Sequence, residues 1–314
     1  MEKLLLEIVF IIAGIAIVLW GANTFTDGAS GLARRLKVSE LVIGLTVVAL
    51  GTSLPEFMVS FLSVLRASSD MSVGNIIGSN VFNILVIIGG SALMSPLAVN
   101  RSMLVRDFPI CVLTTAMLVL FAYTKSTVST WEGLVMVAFF CGYLYMAYRI
   151  AMADRKEAKD VVLEEKTPMP KLILLILLGM AALVFGGRVL VDNAASVARD
   201  FGISESVIGM TILAAGTSLP EFATSVVAAK KGSLGLAFGN VIGSNVFNIA
   251  FVIGTCSSIV PMTVTEITLK DWLVFFGSVV LVWLVAATGR RINRLEGALL
   301  VICYLTYLLS LIIG

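Results

Sequence analysis

Long apolar runs, each about the length of a membrane span, recur along the chain. They fall near residues 4–24, 41–65, 72–94, 103–123, 130–150, 171–190, 206–229, 233–261, 272–288 and 295–313. A hydrocarbon core needs about 20 apolar helical residues to cross, so the pattern predicts ten transmembrane helices. The first run is too long for the core of a cleaved signal, and no small-residue cleavage site precedes the charged residues at Arg34. A polar, amphipathic stretch, 191–205, separates the sixth run from the seventh. The second, third, seventh and eighth runs differ from the rest in being rich in Gly, Ser, Thr and Asn.

Composition sharpens this picture. Of 314 residues, 59% are apolar and 13% charged, and the mean hydropathy is +1.02. A soluble domain carries about 25% charged residues. The chain therefore reads as an all-α integral membrane protein, which excludes secreted, nucleic-acid-binding and disordered classes. The net charge of +2 carries no information about partners, and no protein partner is evident. There is no His, which removes the commonest neutral-pH base and metal ligand. The four cysteines, Cys111, Cys141, Cys256 and Cys303, lie far apart inside apolar runs and read as small core hydrophobes.

Lys and Arg set the orientation. With loops assigned alternately, one side receives sixteen of the basic residues, from Arg34 to Arg294. The other receives six: Lys3, Arg66, Lys125, Arg188, Arg199 and Lys270. The basic side is expected to be cytoplasmic, which places both termini outside a multi-pass cell-membrane protein.

The chain also repeats itself at an offset of 165 residues. Residues 39–57 and 204–222 share fourteen of nineteen positions, including Gly-Thr-Ser-Leu-Pro-Glu-Phe, and residues 74–84 and 239–249 share ten of eleven. The same offset pairs Asp27 with Asp192 and Arg34 with Arg199. Five spans per half is an odd number, so the second half is expected to enter the membrane from the opposite side. The predicted organisation is a first five-helix repeat (1–150), a charged cytoplasmic linker (151–170) and a second, inverted repeat (171–314). Inverted repeats are a transporter architecture, with the substrate site near the midplane. Duplication kept only for packing does not explain why the best-matched windows hold polar residues and a helix breaker.

Two of the twenty acids lie deep in spans: Glu56 and Glu221, which are matched by the repeat. A charge at the bilayer centre costs at least about 2.5–3.5 kcal/mol, and such residues mark ion or proton paths. No Lys or Arg lies at comparable depth in the sequence. Each Glu follows a Pro, which has no N–H, so the carbonyls of Gly51 and Gly216 lose their helical donors. A broken helix is tolerated at this depth only beside a cavity or ligand. Thr52, Ser53, Thr217 and Ser218 add hydroxyls at the same level. On the following spans Asn75, Ser79 and Asn83, and likewise Asn240, Ser244 and Asn248, share one helix face. Their Gly-xxx-Gly pairs, Gly74 and Gly78 with Gly239 and Gly243, suit close helix approach. Every candidate ligand is an oxygen, a donor set for hard cations such as Ca²⁺, Mg²⁺ and Na⁺. Two carboxylates balance one divalent or two monovalent ions, and competition for them is a mechanism of antiport.

At these residues the chain resembles the cation/Ca²⁺ exchanger superfamily, most closely its prokaryotic sodium/calcium branch. The motifs are G-T-S-L-P-E at 51–56 and 216–221, and G-N-x-x-G-S-N-x-x-N at 74–83 and 239–248. The resemblance implies ten helices with the second, third, seventh and eighth as a compact core, across which long, tilted first and sixth helices slide. It implies that Ca²⁺ and Na⁺ are substrates, with no cofactor. It further implies metal contacts from Glu56, Glu221, Thr52, Thr217, Ser53 and Ser218, from the carbonyls of Ala49 and Ala214, and from Ser79, Ser244 and Asn83. Asn248 stands where potassium-dependent relatives carry Asp, so K⁺ cotransport is disfavoured. Some sodium/calcium members also have Asp there, and Asn248 is a departure from them. Proton/calcium relatives use similar glutamates and are the main rival. The linker is too short for the large regulatory domains of animal relatives. An intramembrane enzyme is disfavoured, since no His and no deep Asp exists to serve one. A channel uses similar oxygens, but the inverted repeat and broken helices favour alternating access.

Overall fold

The computed structural model describes residues 2–157, 167–202, 212 and 214–313. Twelve helices account for nearly all of them: α1 (Glu2–Leu36), α2 (Glu40–Thr52), α3 (Leu54–Leu65), α4 (Ser69–Met94), α5 (Met103–Lys125), α6 (Thr130–Glu157), α7 (Met169–Asp200), α8 (Ala214–Thr217), α9 (Leu219–Lys230), α10 (Leu234–Ile259), α11 (Leu269–Ala287) and α12 (Arg294–Ile313). Among the described residues eight helices are long and apolar enough to cross a membrane, and the bent pair α2–α3 makes a ninth span. Of the predicted span 206–229, only residue 212 and the stretch from Ala214, as α8 and α9, are described. The rest of its first limb, with Glu205, lies outside the described residues, as does 158–166 of the predicted linker.

Several helices run past their predicted ends. The stretches 25–36 and 191–200 were expected to be loop and amphipathic connection, yet they continue α1 and α7. Residues 151–157, assigned to the linker, continue α6. Polar side chains end an apolar run but do not end the hydrogen-bonded spiral, which needs a breaker. At 1.5 Å per residue α1 is about 52 Å long, well beyond a hydrocarbon core of about 30 Å, so it tilts or protrudes. It stops at Lys37, whose φ of 58° is left-handed, and α7 is followed by Gly202 at φ 78°, the position matched by the repeat. The turn after α3 uses Ala67 (φ 57°) where the turn after α9 uses Gly232 (φ 82°).

α1 and α7 pack antiparallel over most of their length. Glycines make this possible. A Cβ on Gly179 would lie 2.5 Å from the backbone N of Phe25, and one on Gly14 would lie 2.9 Å from that of Leu190. In the interior, α2 presses on α10, and a Cβ on Gly239 would lie 2.6 Å from the carbonyl of Leu41. Gly243 is equally tight against Leu45. Their counterparts Gly74 and Gly78 meet no such close backbone among the described residues, so the close-approach role expected of all four is seen for two. α10 and α4 are the most enclosed spans.

Two small antiparallel strand pairs tie the loops: β1 (Leu97–Ala98) with β4 (Arg291–Ile292), and β2 (Thr127–Val128) with β3 (Met262–Thr263). α5 runs between β1 and β2, so the pairs sit at opposite ends of the bundle. β1 and β3 are 165 residues apart, and these matched segments therefore occupy opposite ends.

Candidate cation site

Ser53 is the single residue between α2 and α3, which meet at a bend of 47°. Its backbone (φ −86°, ψ 8°) is reproduced at Ser218 (φ −91°, ψ 9°), between α8 and α9. Pro55 and Pro220 sit in the first turns after these breaks, where a missing N–H costs nothing to the new helix but orphans a carbonyl of the old one. Each break throws the next acid, Glu56 or Glu221, into the protein interior. Both are fully buried.

The two halves then cross over. Ser53 Oγ donates to Glu221 Oε1 at 2.7 Å, and Ser218 Oγ donates to Glu56 Oε1 at 3.0 Å. Thr217 also lies beside Glu56, and Thr52 and Ser244 lie beside Glu221. Neither carboxylate has an ion-pair partner among the described residues.

Six buried oxygens here have no hydrogen-bond partner among the described residues: Glu56 Oε2, Glu221 Oε2, Ser79 Oγ, Ser244 Oγ, Asn83 Oδ1 and Asn248 Oδ1. They form three pairs matched by the repeat. An unsatisfied buried polar group costs about 1–3 kcal/mol, so such a concentration is costly to the fold alone. It fits a ligand that accepts oxygen donors.

The Asn side chains divide into two roles. Asn83 Nδ2 donates to Asn245 Oδ1 (3.1 Å) and Asn248 Nδ2 donates to Asn80 Oδ1 (3.0 Å). Asn80 and Asn245 in turn donate to each other's backbone carbonyls, at 3.1 and 3.3 Å. This crossed clamp fixes the amides of Asn83 and Asn248 so that their oxygens remain unpaired. Asn80 and Asn245 are its anchors, a role that spacing alone does not single out, although both motif copies carry them. Asn75 and Asn240 were read as part of the ligand-bearing face, and the structure assigns them differently. Asn75 Nδ2 donates to Ser60 Oγ (3.0 Å), and Asn240 Nδ2 donates to Ser225 Oγ (2.9 Å). They brace each acid-bearing helix against its neighbour. Asn240 Oδ1 also accepts from Thr52 at 3.0 Å.

The remaining candidates are placed as follows. Thr52 Oγ1 lies within hydrogen-bond reach of Val48 O as well. The carbonyl of Ala49 accepts from Ser53 N–H at 3.1 Å, which leaves it one lone pair. Ala214 opens α8, in the position of Ala49 before the break. π-helical turns follow directly at Asn83–Ile87 and Phe247–Ile253, a feature frequent at functional sites.

The profile of the family described as "Sodium/calcium exchanger protein" matches residues 6–149 and 171–313. The chain belongs to the sodium/calcium exchanger family. It is 31% identical over 339 residues to the sodium/calcium exchanger MaX1 of Methanosarcina acetivorans, covering 96% of this chain and 97% of the relative. CaxA of Alkalimonas amylolytica, named as a candidate antiporter, is 36% identical over 315 residues, covering 97% and 98%. Among solved structures, the sodium-calcium exchanger NCX_Mj soaked with Na⁺ and Sr²⁺ superposes with a TM-score of 0.84 at 29% identity, over 98% of this chain and 99% of that one. This exchanger-family chain is thus a multi-pass membrane protein of a family of ion transporters, not of enzymes, and its fold is that of NCX_Mj.

Proposed function

We propose that the protein exchanges Na⁺ for Ca²⁺ across the cell membrane by alternating access. The observation that carries this reading is the set of six buried oxygens, two of them on the carboxylates of Glu56 and Glu221, that have no hydrogen-bond partner and no basic partner among the described residues. Hard cations are the ligands such a set suits. Glu56 and Glu221 supply the two negative charges that one Ca²⁺ or two Na⁺ would neutralise, and a third Na⁺ would rely on neutral oxygens. Ser79, Ser244, Asn83 and Asn248 supply the unpaired neutral oxygens. Ser53 and Ser218 supply hydroxyls that turn from carboxylate to cation, Thr52 and Thr217 supply hydroxyls beside the same carboxylates, and Ala49 and Ala214 supply carbonyls at the breaks. Because the ions share the same carboxylates, Ca²⁺ and Na⁺ exclude one another, and that exclusion couples their movements.

The same reading takes residues 1–150 and 171–314 as inverted five-helix halves about the 151–170 linker. The placement of β1 and β3 at opposite ends supports it. The Lys/Arg bias supports a cytoplasmic linker and external termini. K⁺ is not required, because Asn248 brings no charge and repeats the amide of Asn83 in the other half.

The test is ⁴⁵Ca²⁺ uptake into proteoliposomes under separate Na⁺, H⁺ and K⁺ gradients. An outward Na⁺ gradient should drive uptake with K⁺ omitted from both sides. Uptake driven by a proton gradient alone, indifferent to Na⁺, would replace this reading with proton/calcium antiport.

A further inference from the structure

The repeat is close to symmetric in sequence, yet the structure is not symmetric at its two ends. Asp27 of α1 accepts from Lys231 Nζ at 2.7 Å, and the same ammonium reaches the carbonyl of Asn23 at 3.3 Å. Lys231 caps α9, the helix that carries Glu221. The offset of 165 maps Asp27 onto Asp192 and Lys231 onto Arg66. Asp192 lies on α7, and Arg66 caps α3, the helix that carries Glu56. Charge and position are thus conserved between the halves, but Asp192 and Arg66 form no ion pair with each other and are exposed.

Packing shows the same asymmetry. α1 lies along α9, whereas α7 has almost no packing against α3. On α9, Ala223 and Val227 are buried. The matched residues of α3, Met58 and Leu62, are 50% and 42% exposed. One end of the bundle therefore has its helix docked and its charge pair made, and the other has both undone.

We propose that Asp27–Lys231 and Asp192–Arg66 are two copies of one ionic latch that close in turn, one at each mouth of the protein. The inference rests on alternating exposure of a single site, as proposed above. Each latch joins a long outer helix to the far end of an acid-bearing helix. These four residues are positioning residues and touch no ion in the site. Closing one latch holds α1 against α9 and leaves α3 uncovered. Closing the other holds α7 against α3. The pairs are solvent-facing, so each biases the balance of states modestly and leaves it reversible.

The test places cysteines at 27 and 231, and separately at 66 and 192, in a background without the four native cysteines. A Lys side chain spans more than a disulfide does, so a reducible bifunctional methanethiosulfonate reagent serves as the bridge. Both pairs should bridge in native membranes, 27–231 faster. Each bridge should halt ion exchange until it is reduced. In the four-cysteine variant, mass spectrometry of single chains should find one bridge or the other and never both. Asp27→Asn and Lys231→Ala, tested singly, should each speed bridging of 66–192 by up to about fivefold, the scale of one exposed ion pair. Failure of 66–192 to bridge, both bridges in one chain, undiminished exchange in bridged protein, or an unchanged 66–192 rate in those variants would overturn the latch. Bridging is read without an ion gradient, so a proton-coupled exchanger would give the same bridging pattern while failing the Na⁺ test.

Discussion

At the scale of single residues, the site depends on charge first and geometry second. One carboxylate cannot balance a dehydrated divalent ion in a low-dielectric interior. Glu56→Gln and Glu221→Gln should each lower Ca²⁺ transport by at least about 100-fold, since a buried charge contributes several kcal/mol to holding a counter-ion. Size-exclusion profiles should stay unchanged, because Gln keeps the acceptor for Ser218 or Ser53. Near-normal exchange in either variant would remove both as ligands. Exchange should be independent of K⁺, measured as Na⁺-driven Ca²⁺ uptake with K⁺ omitted, and Asn248→Asp, which adds the charge that Asn248 lacks, should make uptake respond to K⁺. Two residues away from the site carry strain of their own. Lys37 and Ala67 hold left-handed backbone just past helix ends, where the other half has Gly202 and Gly232. Ala67→Gly should therefore stabilise the protein by about 0.5–1 kcal/mol, read as a rise in the thermal midpoint in detergent. A fall would show that the gain in unfolded-chain freedom outweighs the relief.

At the scale of helices, the breaks and the glycine contacts position the site. The breaks were legible in the sequence because Pro has one physical consequence in a helix wherever it falls, and both halves carry it with the same acid. The paired serines, the acids and the last asparagine of each motif were legible for the same reason. Helix ends were not. Hydropathy reports where an apolar run stops, and α1, α6 and α7 continue for 7 to 12 residues beyond that point because nothing in Phe25–Leu36, Ala151–Glu157 or Val191–Asp200 breaks a helix. The wiring of the amides was hidden as well. Spacing puts Asn75 and Asn83 on one face, but whether an amide braces a neighbour or faces the site depends on what lies opposite, and that is tertiary. The glycine contacts carry their own expectation. Gly179→Val should misplace α1 against α7, because its side chain would collide with the backbone of Phe25, which cannot retreat as a flexible side chain could. Exchange should fall by about tenfold or more, as expected for a displacement that costs about 1–3 kcal/mol in one conformational state. A Gly187→Val control meets open space and should be close to neutral.

At the scale of the whole molecule, the proposed inversion makes a labelling prediction. Glu40 and Glu205 occupy equivalent sequence positions ahead of matched spans. Single cysteines at 40 and 205 should react with an impermeant thiol reagent from opposite sides, 40 from the cytoplasm and 205 from outside. Labelling from one side would end the inverted-repeat account, while leaving an oxygen-rich cation site in place. The proposed inversion would also let a two-carboxylate site serve both faces of the membrane, since each half would supply one acid, one threonine, two serines and one amide.

The most direct measurement is equilibrium binding of ⁴⁵Ca²⁺ to the purified protein, titrated with Na⁺ at constant pH and ionic strength. Shared carboxylates require Na⁺ to displace Ca²⁺ completely, with a Hill coefficient above 1 because more than one Na⁺ is needed to replace one divalent ion. Choline at the same concentration should displace none, and Glu56→Gln should abolish the binding. Ca²⁺ that stays bound at saturating Na⁺ but leaves on acidification would contradict the account.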